Sequence, residues 1–128
     1  MLIGVPKELA DGENRAPMIP ANIKKLVRAG AEVHVEAGLG LGAGHADSEY
    51  EEAGATITTD RAALLGTSDI LLRLGKPTLD EINQVKEGAI HVSYLDPFNE
   101  GDLVKAFKAR GVTAISMEMI PRPTRSQK

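Results

Sequence analysis

Cysteine is missing from all 128 residues, which removes a disulfide framework, thiolate metal ligation and a cysteine nucleophile together. Aromatic side chains supply only 3% of the chain, so a core must be built from Ala, Val, Ile and Leu, the palette of α/β proteins. Long runs of one charge are also lacking. Fifteen basic and eighteen acidic side chains give a net charge of -3 without a block that could follow a phosphate backbone, which argues against nucleic acid as a partner. No segment approaches the roughly 20 apolar residues that cross a bilayer, so direct membrane insertion is not expected. The opening MLIGVPKE has no basic stretch leading into a long apolar run, and a reducing, cytoplasmic setting fits.

What is present alternates. Apolar runs predict strands at Leu2–Val5, Glu32–Glu36, Thr56–Thr58, Ile70–Leu74, Ala89–Tyr94 and Thr113–Ser116. Between them, Asn22–Ala29 carries Ile23, Leu26 and Val27 on one helical face and Lys24, Lys25 and Arg28 on the other. Shorter helices are expected from Ser48 to Ala53, Arg61 to Leu65 and Thr78 to Val85, with Asp47, Asp60 and Thr78 as N-caps, and a longer one from Asn99 to Ala109. Strand, helix, strand at this spacing predicts one domain, a Rossmann-like, mostly parallel α/β sheet with helices on both faces. The expected core is Ile3, Val33, Val35, Ile70, Leu72, Ile90, Val92 and Ile115. The last stretch, from Ile120 to Lys128, is a polar loop with two prolines, where a domain is not expected to stop.

The glycine run from Gly38 to Gly44 follows a strand and contains Gly-x-Gly-x-x-Ala, with Asp60 after the next strand. A dinucleotide fingerprint needs its helix to open at the third small residue, so that helix amides face the pyrophosphate. Here His45 and Ala46 intervene, and a connecting loop is the better reading. His34 and His91 fall inside strands, where burial is the default; His45 in the loop reads as solvated. No histidine has a partner at metal-ligand spacing, and Glu51-Glu52 and Asp80-Glu81 read as solvated helix faces. No catalytic acid, base or metal site is therefore singled out. Arg15 follows the first strand on its carboxyl side, where open α/β sheets bind ligands, and its guanidinium could clamp a carboxylate or phosphate. An ion pair with Glu8 or Glu13 is the competing reading.

Ile3-Gly4-Val5-Pro6-Lys7-Glu8, then Glu13-Asn14-Arg15 and Pro20, resembles the opening of the alanine dehydrogenase and transhydrogenase NAD-subunit family. Val35-Glu36-Ala37-Gly38 with Gly40 and Gly42, and Tyr50 through Gly54-Ala55, continue the likeness over the whole chain. In the alanine dehydrogenase branch a lysine after the fourth strand and a histidine after the fifth act on the keto acid. Those positions carry Gly75 and Asp96 here, with Lys76 one step from the first. The ending Pro121-Arg122-Pro123-Thr124-Arg125-Ser126-Gln127 resembles the transhydrogenase pattern Pro-Arg-x-x-Arg-x-Gln, which implies that Arg122 and Gln127 approach the nicotinamide and its ribose, with Arg125 structural.

The resemblance implies the front part of an NAD(H)-binding subunit of a proton-translocating transhydrogenase, ending within its nicotinamide-contacting loop. The cofactor is NAD(H), with NADP(H) on a partner subunit. It also implies a downstream Rossmann domain holding the adenosine, a homodimer, and docking on membrane and NADP(H)-binding components, hence peripheral association with the inner membrane. The 128 residues alone are expected to be inactive. Alternatives are an alanine dehydrogenase-like amino-acid oxidoreductase and a non-catalytic binding domain of the same fold.

Overall fold

The computed structural model describes residues 1–8, 18–75, 77–93 and 101–116. Strands and helices alternate as β1 (Leu2–Val5), α1 (Pro20–Arg28), β2 (Glu32–Glu36), α2 (Asp47–Glu52), β3 (Thr56–Thr58), α3 (Arg61–Thr67), β4 (Ile70–Leu72), α4 (Leu79–Gln84), β5 (Ile90–Ser93), α5 (Gly101–Arg110) and β6 (Thr113–Ser116). The strands form one sheet in the order β3-β2-β1-β4-β5-β6, and every pairing is parallel. This is the Rossmann-like architecture that the alternation predicts.

Strand order decides which face each helix covers. Steps from β1 to β2 to β3 run one way along the sheet and steps from β4 to β5 to β6 the other, so right-handed crossovers put their helices on opposite faces. On the first face Ile23 of α1 and Tyr50 of α2 bury Ile3, Val5, Val33 and Val35. On the second, Leu65 of α3, Ile82 of α4 and Leu103 and Phe107 of α5 enclose Leu71. Helix α3 lies so close to β1 that a Cβ on Gly4 would stand 2.0 Å from Ser68 Oγ and 3.1 Å from a Leu64 methyl. Only glycine fits there.

The sheet register puts all eight expected core residues on one face, yet the face is buried only in part. Ile3, Val33 and Val35 are buried, whereas Ile70, Leu72, Ile90 and Val92 are half-buried and Ile115 is 37% exposed. The reason is topological: α1 and α2 cover only the β1–β3 half of that face, because α4 and α5 cross behind the sheet. The fully buried residues of β5 are therefore His91 and Ser93, facing the other way. β4 also ends earlier than expected. Arg73 still donates its N–H to Val92 O at 2.9 Å, but the Leu74 N–H turns to Glu8 at 2.8 Å.

Asp60 and Thr78 cap α3 and α4 through side-chain oxygens on the Ala63 and Glu81 amides. Asp47 does not cap α2. Ala46 holds the N-cap position, its N–H bound by Glu49 at 2.6 Å, while Asp47 accepts from the Gly38 N–H at 2.8 Å and so pins the glycine loop.

Candidate functional site

The strand order reverses between β1 and β4, and in open α/β sheets the crevice beyond the carboxyl ends at such a point is where ligands bind. This seam is short in backbone pairs, with Ile3 opposite Ile70 and Gly4 opposite Leu71. Side-chain carboxylates reinforce both ends. At the amino end Asp69 Oδ2 accepts the Leu2 N–H at 2.8 Å and Oδ1 takes Lys86 Nζ at 2.6 Å. At the carboxyl end Glu8, 9% exposed, accepts the N–H groups of Leu74 and Gly75, one on each oxygen, both at 2.8 Å.

Beside Glu8 lies a four-membered ion network on the second face. Arg61, the first residue of α3, donates through Nε and Nη2 to Glu81 Oε2 at 3.0 and 2.7 Å. Its Nη1 donates to Lys7 O at 3.0 Å and pairs with Glu36. Glu36 in turn accepts the Lys7 N–H at 2.7 Å. Arg73 reaches Glu81 Oε1 at 3.2 Å, and the Thr78 N–H donates to the same oxygen at 3.0 Å. Burial pushes the Glu81 carboxyl up, but Arg73, the Thr78 amide and Arg61 outweigh that and hold it below the usual carboxylate range. Two cations and two anions balance. The arrangement ties the ends of β1, β2 and β4 together.

His91 is fully buried, its ring 5.0 Å from that of Phe107, with Nδ1 3.4 Å from Ser93 Oγ. Burial, with the Arg73 charge adding to it, pushes its pKa down to about 3. His34 pairs with Glu32 at 2.8 Å. His45 is half-buried and not the solvated side chain expected: its ring stands edge-on to Tyr50 at 6.4 Å and 3.5 Å from Glu49. Tyr50 is buried, and its hydroxyl donates to Met18 O at 2.8 Å. The Gly38–Gly44 run is a loop containing one 3-10 turn, Leu41–Ala43. Several of its amides bond neighbouring groups: Gly38 to Asp47, Leu39 to Glu36 O, Ala43 to Gly40 O and Gly44 to Leu41 O.

Of the residues singled out in the sequence, Arg15, Arg122, Gln127, Lys76 and Asp96 lie outside the described residues. Glu81 is the clear miss. Far from being a solvated helix face, its side chain is 12% exposed and joins both arginines. The signal lies in Thr78-Leu79-Asp80-Glu81, since a glutamate three residues after a threonine cap folds back on the helix start. Among the described residues no His, Asp and Glu set could hold a metal, and no helix is long and apolar enough to cross a membrane.

Sheet order and crevice together define a Rossmann-like α/β domain. The chain belongs to the alanine dehydrogenase/PNT family, matching the description "Alanine dehydrogenase/PNT, N-terminal domain" over residues 4–128. It is 38% identical to an NAD(P) transhydrogenase alpha-subunit polypeptide of Rhodospirillum rubrum, over 99% of this chain and 34% of that protein. It is 37% identical to an alanine dehydrogenase of Methanococcus maripaludis, over 98% of this chain and 34% of that one. The crystal structure of a transhydrogenase from Sinorhizobium meliloti superimposes with a TM-score of 0.90 at 36% identity, over 99% of this chain and 38% of that one. The chain thus spans about a third of the length of these relatives, which are oxidoreductases.

Proposed function

We propose that the chain is the front part of the NAD(H)-binding subunit of a proton-translocating NAD(P) transhydrogenase, and that it positions the nicotinamide for hydride transfer between NAD(H) and NADP(H). Gly75 carries the reading. On the loop after β4, where the resemblance puts the lysine of the alanine dehydrogenases, stands a residue without a side chain, its N–H held by Glu8. An enzyme without that lysine and that histidine at these positions is expected to orient cofactors and not to reduce a keto acid. The motif ending in Arg122 and Gln127 points the same way.

NAD(H) supplies the hydride; the protein supplies orientation. Arg122 and Gln127 would fix the carboxamide and ribose, and Arg15 would clamp a carboxylate or phosphate near the crevice. The glycine loop does not form the amino end of a crossover helix of fingerprint type: a 3-10 turn and His45-Ala46 separate Gly38 from α2, and several of its amides bond nearby groups. In this reading the adenosine half of the cofactor belongs to a further Rossmann domain downstream, as the resemblance implies. NADP(H) on a partner subunit, a homodimer, and peripheral attachment to the inner membrane through membrane components complete the proposal.

The identity to an alanine dehydrogenase, almost equal to that for the transhydrogenase subunit, favours a second reading as an amino-acid oxidoreductase. The full-length protein with its partner components separates the two. Hydride transfer from NADH to an NADP+ analogue, without pyruvate-dependent NADH oxidation in the presence of ammonium, is expected. Robust pyruvate reduction would sink the transhydrogenase reading.

A further inference from the structure

We infer that Glu8 is a positioning residue of the crevice: its carboxylate sets the distance between the end of β1 and the loop after β4, and so the geometry in which the nicotinamide is held. The inference rests on the functional reading above. Both carboxylate oxygens are committed to consecutive amides, Leu74 and Gly75, across a sequence separation of more than sixty residues. Near them β1 and β4 pair only through Ile3–Ile70 and Gly4–Leu71, so beyond those pairs the backbone ladder does not hold the two ends together. On its other side the stem is fixed by Glu36 on the Lys7 N–H and Arg61 on the Lys7 carbonyl. Residues 7 and 8 are thus tied laterally to β2 and α3 and, through Glu8, to the β4 loop. A carboxylate suits the task because its bonds to amides are charge-assisted and directional. The loop approaches closely enough that a Cβ on Gly75 would stand 3.0 Å from Glu8 Oε1.

Glu8→Gln is isosteric but has one acceptor in place of two, and turns an NH2 group toward an N–H. In the full-length subunit with its partner components, amide exchange at Leu74 and Gly75 is expected to accelerate about tenfold or more, the effect of losing one charge-assisted hydrogen bond. NADH affinity should stay within about twofold, while single-turnover hydride transfer falls about tenfold, because misplacement costs rate and the adenosine end carries the binding. Gly75→Ala strains the same clasp from the other side and should shift both readouts in the same direction by less; it serves if Glu8→Gln does not fold. Faster exchange with an unchanged transfer rate would make the clasp merely structural, and unchanged exchange would mean that Glu8 does not hold the loop; either overturns the inference. Affinity and rate falling in parallel overturns it too. A wild-type protein inert toward NADP+ analogues but active on pyruvate would instead overturn the functional reading, and the exchange arm would still decide whether Glu8 holds the loop.

Discussion

Replacing Glu81 with glutamine tests the ion network most directly. Its carboxylate serves Arg61 through one oxygen and Arg73 and the Thr78 amide through the other. The Arg73 side chain is only 4% exposed, so water cannot take over when the anion disappears. Removing one partner of a buried ion pair costs about 3–5 kcal/mol. Glutamine keeps one acceptor and Arg61 keeps Glu36, which puts the expected loss near the lower end, about 3 kcal/mol. For a domain of this size that lowers the melting midpoint by roughly 10 °C, measurable by calorimetry or by circular dichroism at neutral pH. The double variant Arg73→Met, Glu81→Leu removes both charges from the buried half of the network and should recover most of the loss. A loss below about 1 kcal/mol for Glu81→Gln, the range of exposed ion pairs, would refute the view that the network is a buried electrostatic unit.

Gly4→Ala should destabilise by about 1–3 kcal/mol, since its Cβ has no room against Ser68; an unfolding midpoint equal to wild type would mean that α3 can shift freely. Because the folded-state pKa of His91 is lowered to about 3, the unfolded chain takes up its proton first as pH falls below about 6.5. Stability is therefore unaffected by this group above that pH and declines below it, by about 2 kcal/mol at pH 5. His91→Leu should abolish that part of the pH dependence, and parallel profiles for the two proteins would contradict it. In the complete subunit, Arg122→Ala and Gln127→Asn should slow single-turnover transhydrogenation far more than they weaken NADH binding in a titration; wild-type transfer rates in both would exclude these residues from holding the ring.

Strand positions are legible in the sequence because β-branched and leucine runs bounded by Gly, Asp and Thr are local signals: β1, β2, β3 and β6 fall where the apolar runs put them. Helix-to-sheet packing is less legible. Ile115 satisfies every local criterion for a core residue, but among the described residues no crossover helix covers its half of the face, a property of strand order. The ion network is unreadable for the same reason. Glu36, Arg61, Arg73 and Glu81 come from or adjoin four elements, and they converge only once β2, β1 and β4 are adjacent. By its neighbours in the chain Glu8 reads only as a partner for Arg15, because backbone amides more than sixty positions away leave no mark on its own surroundings.

The two apolar clusters have a consequence for how this molecule opens. One draws mainly on the chain up to β3 and the other on the chain from α3 onward, so each half is contiguous in sequence and can consolidate from local contacts alone. The β1–β4 line, where the halves meet, is also crossed by α3 on Gly4 and by the Arg61–Glu36 pair, and it is expected to close last on folding. Carboxylates at its two ends, Asp69 and Glu8, act as hasps on that line. Mild denaturant should therefore first part the protein along its crevice into two plates, each keeping its own protected amides.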